Sequence, residues 1–444
     1  MQHTSRDARR RVAALITTVT LLVGTGTVAR GAAKKGELVE VTMDGSIGAR
    51  QRGSVRGDEF GSDLGADVLP STFGGGCLVG GPGARRSVGR IAAYDCLGNA
   101  RIVGNFLFSI DGDEIAGGPV ERFGEALMDI GHVDGADAVH WAIGAPGTAA
   151  SGSPPAAVVI LHERGGALVE RLRLEGTRDS RLGWKLAPLE IEEGTSFFGS
   201  FAASAPGQRR GSRAAAGAVH RFDSRTGERF WTVVGSKRRQ YLGYVLRTIP
   251  DLNDDGFPDL LVGAPGSMDG KTRGRVVFLS GADGRVLGRI KRPRGAVLFG
   301  FSAATGDING DGVRDVLVGA PLADSDAGKD TGAVFAYSGV DLSLLRRWDG
   351  EVEGEWLGMG VAAVIDRRDG SLLGVAASSL FLDGDRPRRN RRGGLTIFSP
   401  ASNDVLARKL GKRANDRLGW PILGCGGDGC LVGVPKSAEF FAPD

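Results

Sequence analysis

Between residues 243 and 290 the chain alternates short apolar runs with polar, glycine-rich breaks: "GYVLRTI", "DLLVGA", "GRVVFLS" and "GRVLGRI". Each run is too short for a helix and is bounded by Gly, Asp, Asn or Pro, so each predicts a β-strand. A Leu-Gly pair opens this unit, and a Phe-Gly or Leu-Gly pair opens six others: Phe60-Gly61, Phe123-Gly124, Leu182-Gly183, Phe299-Gly300, Leu357-Gly358 and Leu418-Gly419. With Leu242-Gly243 in its place, the intervals are 63, 59, 60, 57, 58 and 61 residues. Further into most units stands Gly-Ala-Pro or a relative of it, ending at Pro82, Pro146, Pro206, Pro265, Pro321 and Pro435; the sixth unit has "VAASS" instead. No unit sustains a helical period. Recurrence at near-constant spacing signals a repeat architecture, here all-β with four short antiparallel strands per unit.

Counting strands accounts for the ends. After Pro435 only "KSAEFFAPD" remains, so the seventh unit is expected to hold its first two strands alone. The segment "GELVEVTMDGSIGARQRG" before Phe60 matches "GRVVFLSGADGRVLGRI" in spacing and turn position. Residues 37–52 are therefore expected to supply the two missing strands of the last unit, closing a ring and removing two open sheet edges.

Two of the units carry oxygen donors at alternate positions. In "DLNDDGFPDLLVGAPG", Asp251, Asn253, Asp255 and Asp259 occupy loop positions 1, 3, 5 and 9, Phe257 offers its carbonyl at 7, and Gly256 permits the turn. Asp307, Asn309, Asp311, the Val313 carbonyl and Asp315 repeat the register 56 residues on. Calcium takes six to eight such hard oxygens. An EF-hand would need Glu at position 12 and flanking helices, but Val262 stands there inside a strand-like run, so the loops join strands. A third loop, "DIGHVDGAD", keeps Asp129, Asp134 and Asp137 but has Gly131 and Val133 where donors belong, and reads as metal-free, with His132 and His140 as surface or packing residues.

On these Phe-Gly, Gly-Ala-Pro and DxNxDGxxD motifs the chain resembles the FG-GAP repeat family, found in integrin α-subunit propellers and in secreted bacterial proteins, over nearly all of its length after the leader. The resemblance implies a seven-bladed β-propeller of four-stranded antiparallel blades, with calcium bound at two sites in the loops just described. Residues 37–444 then form one domain, with 37–59 completing the last blade.

Composition changes this picture in three places. Arg6 and Arg9 to Arg11 precede an apolar stretch from Val12 to Val28, and "TVA" ending at Ala29 suits cleavage, so residues 1–29 read as a signal peptide and 30–36 as a linker. The expected product is a secreted, periplasmic or cell-surface monomer without membrane insertion. In an exported chain four cysteines favour two disulfides, Cys77 with Cys96 and Cys425 with Cys430, over a four-Cys zinc site or free thiols. Finally, of the net charge of +4, a net +3 (Arg6, Arg9, Arg10 and Arg11 against Asp7) lies in residues 1–29, which leaves +1 and no general case for a polyanionic or nucleic-acid partner.

The local distribution of charge is different. In a four-stranded unit the loops between strands 1–2 and 3–4 lie on one face, and the 2–3 and inter-unit loops on the other. The donor loops are of the first kind. Most arginine clusters are of the second: Arg85-Arg86, Arg209-Arg210 with Arg213, Lys237-Arg238-Arg239, Arg292 with Arg294, the run including Arg388, Arg389, Arg391 and Arg392, and Lys412-Arg413. Either this is a solvated surface, or it recognises an anionic glycan or protein. Arg56-Gly57-Asp58 lies in an inter-unit loop as a chance tripeptide.

Enzyme chemistry has little to stand on: no GxSxG motif occurs, and "DSRTGERFW", residues 223–231, resembles the DxxTGxxxW repeat of quinoprotein propellers in one unit only. The sequence therefore predicts a calcium-stabilised binding or adhesion module and no enzyme. The competing reading is a quinoprotein-like or glycan-cleaving propeller with its chemistry at the central channel.

Overall fold

The computed structural model describes residues 68–70, 76–81, 90–97, most of 101–411, 418, 422–426, 429–434 and 437–441. The expected leader and linker, the segment 37–59, Arg56 to Asp58, Arg85-Arg86, Arg388, Arg389, Arg391, Lys412-Arg413, Asp134 and Asp137 lie outside these residues.

Among the described residues the fold is all-β, with one short 3-10 turn at Arg178–Ser180. Six four-stranded antiparallel sheets follow one another along the chain, within 68–111, 127–175, 186–234, 245–291, 302–349 and 357–410. In each of them spatial order is chain order. A two-stranded ribbon, Ala296–Val297 with Leu322–Ala323, sits beside the fifth. The strands foreseen in the fourth unit form at Val245–Ile249, Asp259–Ala264, Arg275–Leu279 and Val286–Lys291.

The seventh sheet departs from expectation. Among the described residues it holds three strands, Ile422–Gly426, Gly429–Val434 and Ser437–Phe441, because the last of them pairs back along its neighbour from Val434↔Ser437 to Cys430↔Phe441. The C-terminal residues that the sequence reading left without structure thus add a strand.

Burial explains why the second strand of each unit is so uniformly apolar. Asp259–Ala264 and Asp315–Ala320 are buried at every position, because both of their faces are covered. The cores lie between consecutive sheets. Met128, Ile130 and Ile160 of the second sheet pack with Phe201 and Phe222 of the third. Leu189 and Val219 of the third meet Leu260 and Val262 of the fourth, and Phe278 of the fourth meets Phe335 of the fifth.

The two glycine motifs meet at these junctions. Gly300 of a Phe-Gly pair has φ +87°, a left-handed backbone that disfavours any side chain, and its N–H donates to the carbonyl of Gly319 in Gly-Ala-Pro of the same unit at 3.1 Å. A Cβ on Gly319 would lie 2.2 Å from the carbonyl oxygen of Gly358, the glycine of the next unit's pair. The same bond joins Gly124 to Gly144 and Gly243 to Gly263. The repeat motif is therefore a backbone-to-backbone seam within and between units.

Outer strands are stapled to the following sheet. The Trp348 indole N–H donates to the carbonyls of Ser399 and Ser402, and Arg171 reaches the carbonyls of Ser224 and Arg225. No helix among the described residues is long and apolar enough to cross a membrane.

Candidate metal loops and loop faces

The first donor loop joins the first two strands of the fourth sheet. Asp259, fully buried, opens the second strand; its Oδ2 accepts the Leu252 N–H at 2.7 Å and its Oδ1 the Gly281 N–H at 3.1 Å. Asp251 accepts the N–H groups of Asn253, Asp255 and Gly256. Asp255 accepts the Asn253 amide at 2.8 Å, the Ser280 hydroxyl at 2.9 Å and the Phe257 N–H at 3.1 Å. Left-handed backbone at Asp254 (φ 56°) and Gly256 (φ 86°) turns the chain so that these donors face inward.

Carboxylate oxygens of Asp251, Asp255 and Asp259 lie within 4.8 Å of one another. The Oδ1 of Asn253 is buried with no hydrogen-bond partner, while its amide nitrogen donates to Asp255. Three converging carboxylates and an orphaned amide oxygen form an acceptor-only set, which fits a hard divalent cation such as calcium.

The charges respond to this crowding. Burial pushes the Asp259 carboxyl up, and the neighbouring Asp255 and Asp251 charges add to it against hydrogen bonds from Leu252 and Gly281. For Asp251, desolvation is outweighed by the N–H groups of Gly256, Asn253 and Asp255, and the carboxyl falls below its ordinary value. The Asn253 amide, helped by Ser280 and Phe257, likewise lowers Asp255.

The second loop repeats the frame with a more open mouth. Asp315 is buried and accepts the N–H groups of Ile308, Asn309 and Gly339, while Asp307 accepts those of Gly310, Asp311 and Gly312. Here Asn309 Oδ1 accepts the Asp311 N–H at 3.0 Å, so no amide oxygen is orphaned, and the carboxylates are not gathered as in the first loop. Val313 is exposed at position 7. In the degenerate third loop, Asp129 turns onto the Gly131 N–H at 2.7 Å, and the His140 and His162 rings stack at 5.4 Å.

The residues of "DSRTGERFW" have structural work. Asp223 accepts the N–H groups of Arg225 and Thr226 within its turn, and the Trp231 indole donates to the Gly281 carbonyl at 3.1 Å. Beside Trp231, Arg221 is 6% exposed and donates to the Gly281 and Ala282 carbonyls. The sequence reading did not single out Arg221, and a lone arginine in an apolar strand is its only signal.

On the opposite loops, basic residues of the third and fourth sheets lie near one another, with Asp269 beside Lys271 among them. The Arg239 N–H donates to the Ala214 carbonyl beside Arg213, Thr272 donates to the Arg238 carbonyl beside Arg273, and Arg273 and Arg292 repel one another. Arg209, Arg210, Arg213, Lys237, Arg238 and Arg239 are exposed, and their side chains make no hydrogen bond or ion pair among the described residues. Arg392 is half-buried in the sixth unit. The face is not basic throughout, however: Asp324, Asp326 and Asp330 occupy the 2–3 loop of the fifth sheet, and Glu351 and Glu353 the connection after it. Of the cysteines, Cys425 stands directly across from Cys430, whereas Cys77 faces Tyr94, two places from Cys96.

The FG-GAP repeat family model matches residues 242–279 and 299–337, each match enclosing one donor loop and its glycine motifs. The chain carries FG-GAP repeats similar to those of integrin α subunits. Human integrin alpha-7 is 37% identical over 131 residues, 28% of this chain and 10% of that protein, and mouse integrin alpha-3 is 35% identical over 132 residues, 28% and 12%. Bovine phosphatidylinositol-glycan-specific phospholipase D is 40% identical over 111 residues, 22% of this chain and 13% of that protein. The FG-GAP chain thus spans roughly a tenth of the length of the curated relatives it matches. Among solved structures, Saccharomyces cerevisiae Sqt1 aligns with a TM-score of 0.46 at 10% identity, covering 86% of this chain and 97% of that one.

Proposed function

We propose that this FG-GAP chain is a secreted, calcium-stabilised binding module that presents the basic loops of its third and fourth sheets to an anionic glycan. Seven blades form its ring, residues 37–59 supply the one strand that the last blade still lacks after the leader is removed, and calcium occupies both donor loops. Cys425 and Cys430, directly opposed in register, form a disulfide. Cys77 and Cys96 form the second, and the chain works as a monomer.

The observation that carries the ligand assignment is the group of exposed cations without acidic partners from Arg209 to Arg239. Guanidinium groups bind carboxylate and sulfate through paired hydrogen bonds, and several of them together suit a linear chain of such groups. A protein partner would call for an apolar centre. On these loops the one large apolar side chain exposed is Met268, while Phe230, Val286, Leu344, Val405 and Leu406 lie on outer strands. The acidic loops of the fifth sheet bound this group and repel the same ligand. The phospholipase D relative shares 13% of its length with this chain, too little to bring its chemistry across.

A glycan array probed at low and physiological salt tests the reading. Binding to uronate or sulfated glycans that weakens with salt and falls when Arg209, Arg210, Arg238 and Arg239 are replaced by Ser is the expected result. Salt-indifferent binding, or preference for acidic peptides, overturns the ligand assignment, and release of shortened glycan places the chain among enzymes.

A further inference from the structure

We infer that Arg221, a residue of the third sheet, is a positioning residue for the metal loop of the fourth. The inference rests on calcium occupying that loop. Arg221 lies on Ala218–Asp223 and touches every strand of its own sheet. Its Nε donates to Ser200 Oγ at 3.0 Å, its Nη2 to Glu190 at 2.9 Å, and its guanidinium lies 4.9 Å from the Phe230 ring centroid. On its other side Nη1 donates to the Gly281 carbonyl at 3.3 Å and the Ala282 carbonyl at 3.0 Å. The Phe257 ring, at loop position 7, covers it at 4.7 Å.

The turn that Arg221 grips is the turn that holds the carboxylates. The Gly281 N–H bonds Asp259, the Ser280 hydroxyl bonds Asp255, and a Cβ on Gly281 would lie against the Pro258 carbonyl oxygen. Fixing the Gly281 and Ala282 carbonyls and the Phe257 ring therefore fixes two of the three carboxylates and the backbone carbonyl at position 7. Groups that orient metal ligands in this way commonly govern affinity.

The second loop supplies the contrast. Four residues after Gly217 comes Arg221, and four after Gly274 comes Phe278, which meets the fifth sheet through apolar contacts that include Leu342. Ser338 in that turn accepts the Val340 N–H, and no bond from it to Asp311 forms. Gathered carboxylates occur in the loop that has Arg221 and not in the loop that lacks it. Glu190, the largest charge influence on Arg221, offsets the guanidinium locally, so the loop is steadied without a bare positive charge opposing the ion.

Calcium titration of the purified full chain in two single-loop backgrounds tests this. With Asp311→Ala disabling the second loop, Arg221→Met combined with Glu190→Gln keeps the local charge balance and is expected to weaken calcium binding about ten-fold or more. With Asp255→Ala disabling the first loop, the same pair of substitutions should leave binding unchanged, which also controls for folding. Arg221→Lys keeps the charge but not the planar fork, and is expected to weaken the first loop alone; it serves if the double variant does not fold. Unchanged affinity of the first loop in a folded variant, or equal weakening of both loops, overturns the positioning role. A parent chain that takes up no calcium sinks the metal reading as well, and the two failures are told apart by that parent titration.

Discussion

The main-chain N–H of Gly281 donates to Oδ1 of Asp259 at 3.1 Å, joining the turn between the last two strands of the fourth sheet to the residue that opens its second strand. Gly339 and Asp315 repeat the bond at 2.9 Å one unit later. In each case the loop that carries the donors is closed by the far end of its own sheet, so a metal bound there would be coupled to sheet integrity.

Calcium should therefore raise the melting temperature and a chelator should lower it. At about a hundred times its dissociation constant, an ion adds about 2.7 kcal/mol per loop. Asp255→Ala is expected to remove the part due to the first loop and leave that of the second, as read by calorimetry with and without chelator. A melting temperature indifferent to chelator in the parent counts against both sites.

The glycine seam predicts a contrast between two substitutions. Gly319→Ala places a methyl 2.2 Å from the Gly358 carbonyl oxygen and should cost about 2–3 kcal/mol through forced backbone movement. Gly256→Ala, with a left-handed φ but nothing within 4 Å, should cost about 1 kcal/mol. Denaturant unfolding of the two variants checks the order, and equal costs would reject the seam.

His220 makes stability depend on pH. Burial first, and the Arg229 charge second, depress its pKa to about 4 from an ordinary 6.5. The folded state then binds fewer protons than the unfolded one, so stability is full above 6.5 and declines as pH falls toward about 4, by up to about 3 kcal/mol. Comparing His220→Gln with the parent between these limits isolates the effect, which the substitution should abolish.

Trp348 is 1% exposed and its indole donates to two carbonyls of the sixth sheet. Trp348→Phe keeps most of the apolar contact and leaves those carbonyls without the donor, an expected loss of about 1–3 kcal/mol measured by thermal unfolding.

The strands and the donor loops were legible because their signals are local: Gly-bounded apolar runs and four oxygens at alternate positions recur within a few residues. The seam was legible only as a motif, since the Gly144 to Gly183 contact joins residues that the sequence does not place together. Arg221 escaped for the same reason, its partners Gly281 and Ala282 lying 60 and 61 residues away. The acidic boundary at Asp324 to Glu353 could have been read from the sequence, but counting cations alone hid it. The third strand of the seventh sheet was missed because a short terminal run such as "SAEFF" has no pattern of its own and forms by pairing with Gly429–Val434.

The cores lie between sheets, and Arg221 of one unit braces the loop of the next. The sixty-residue period of the sequence is thus not a cassette that can be cut out or traded intact. Exchange of a unit between related chains succeeds where the cut preserves a junction, carrying the outer strands of one sheet together with the inner strands and donor loop of its successor.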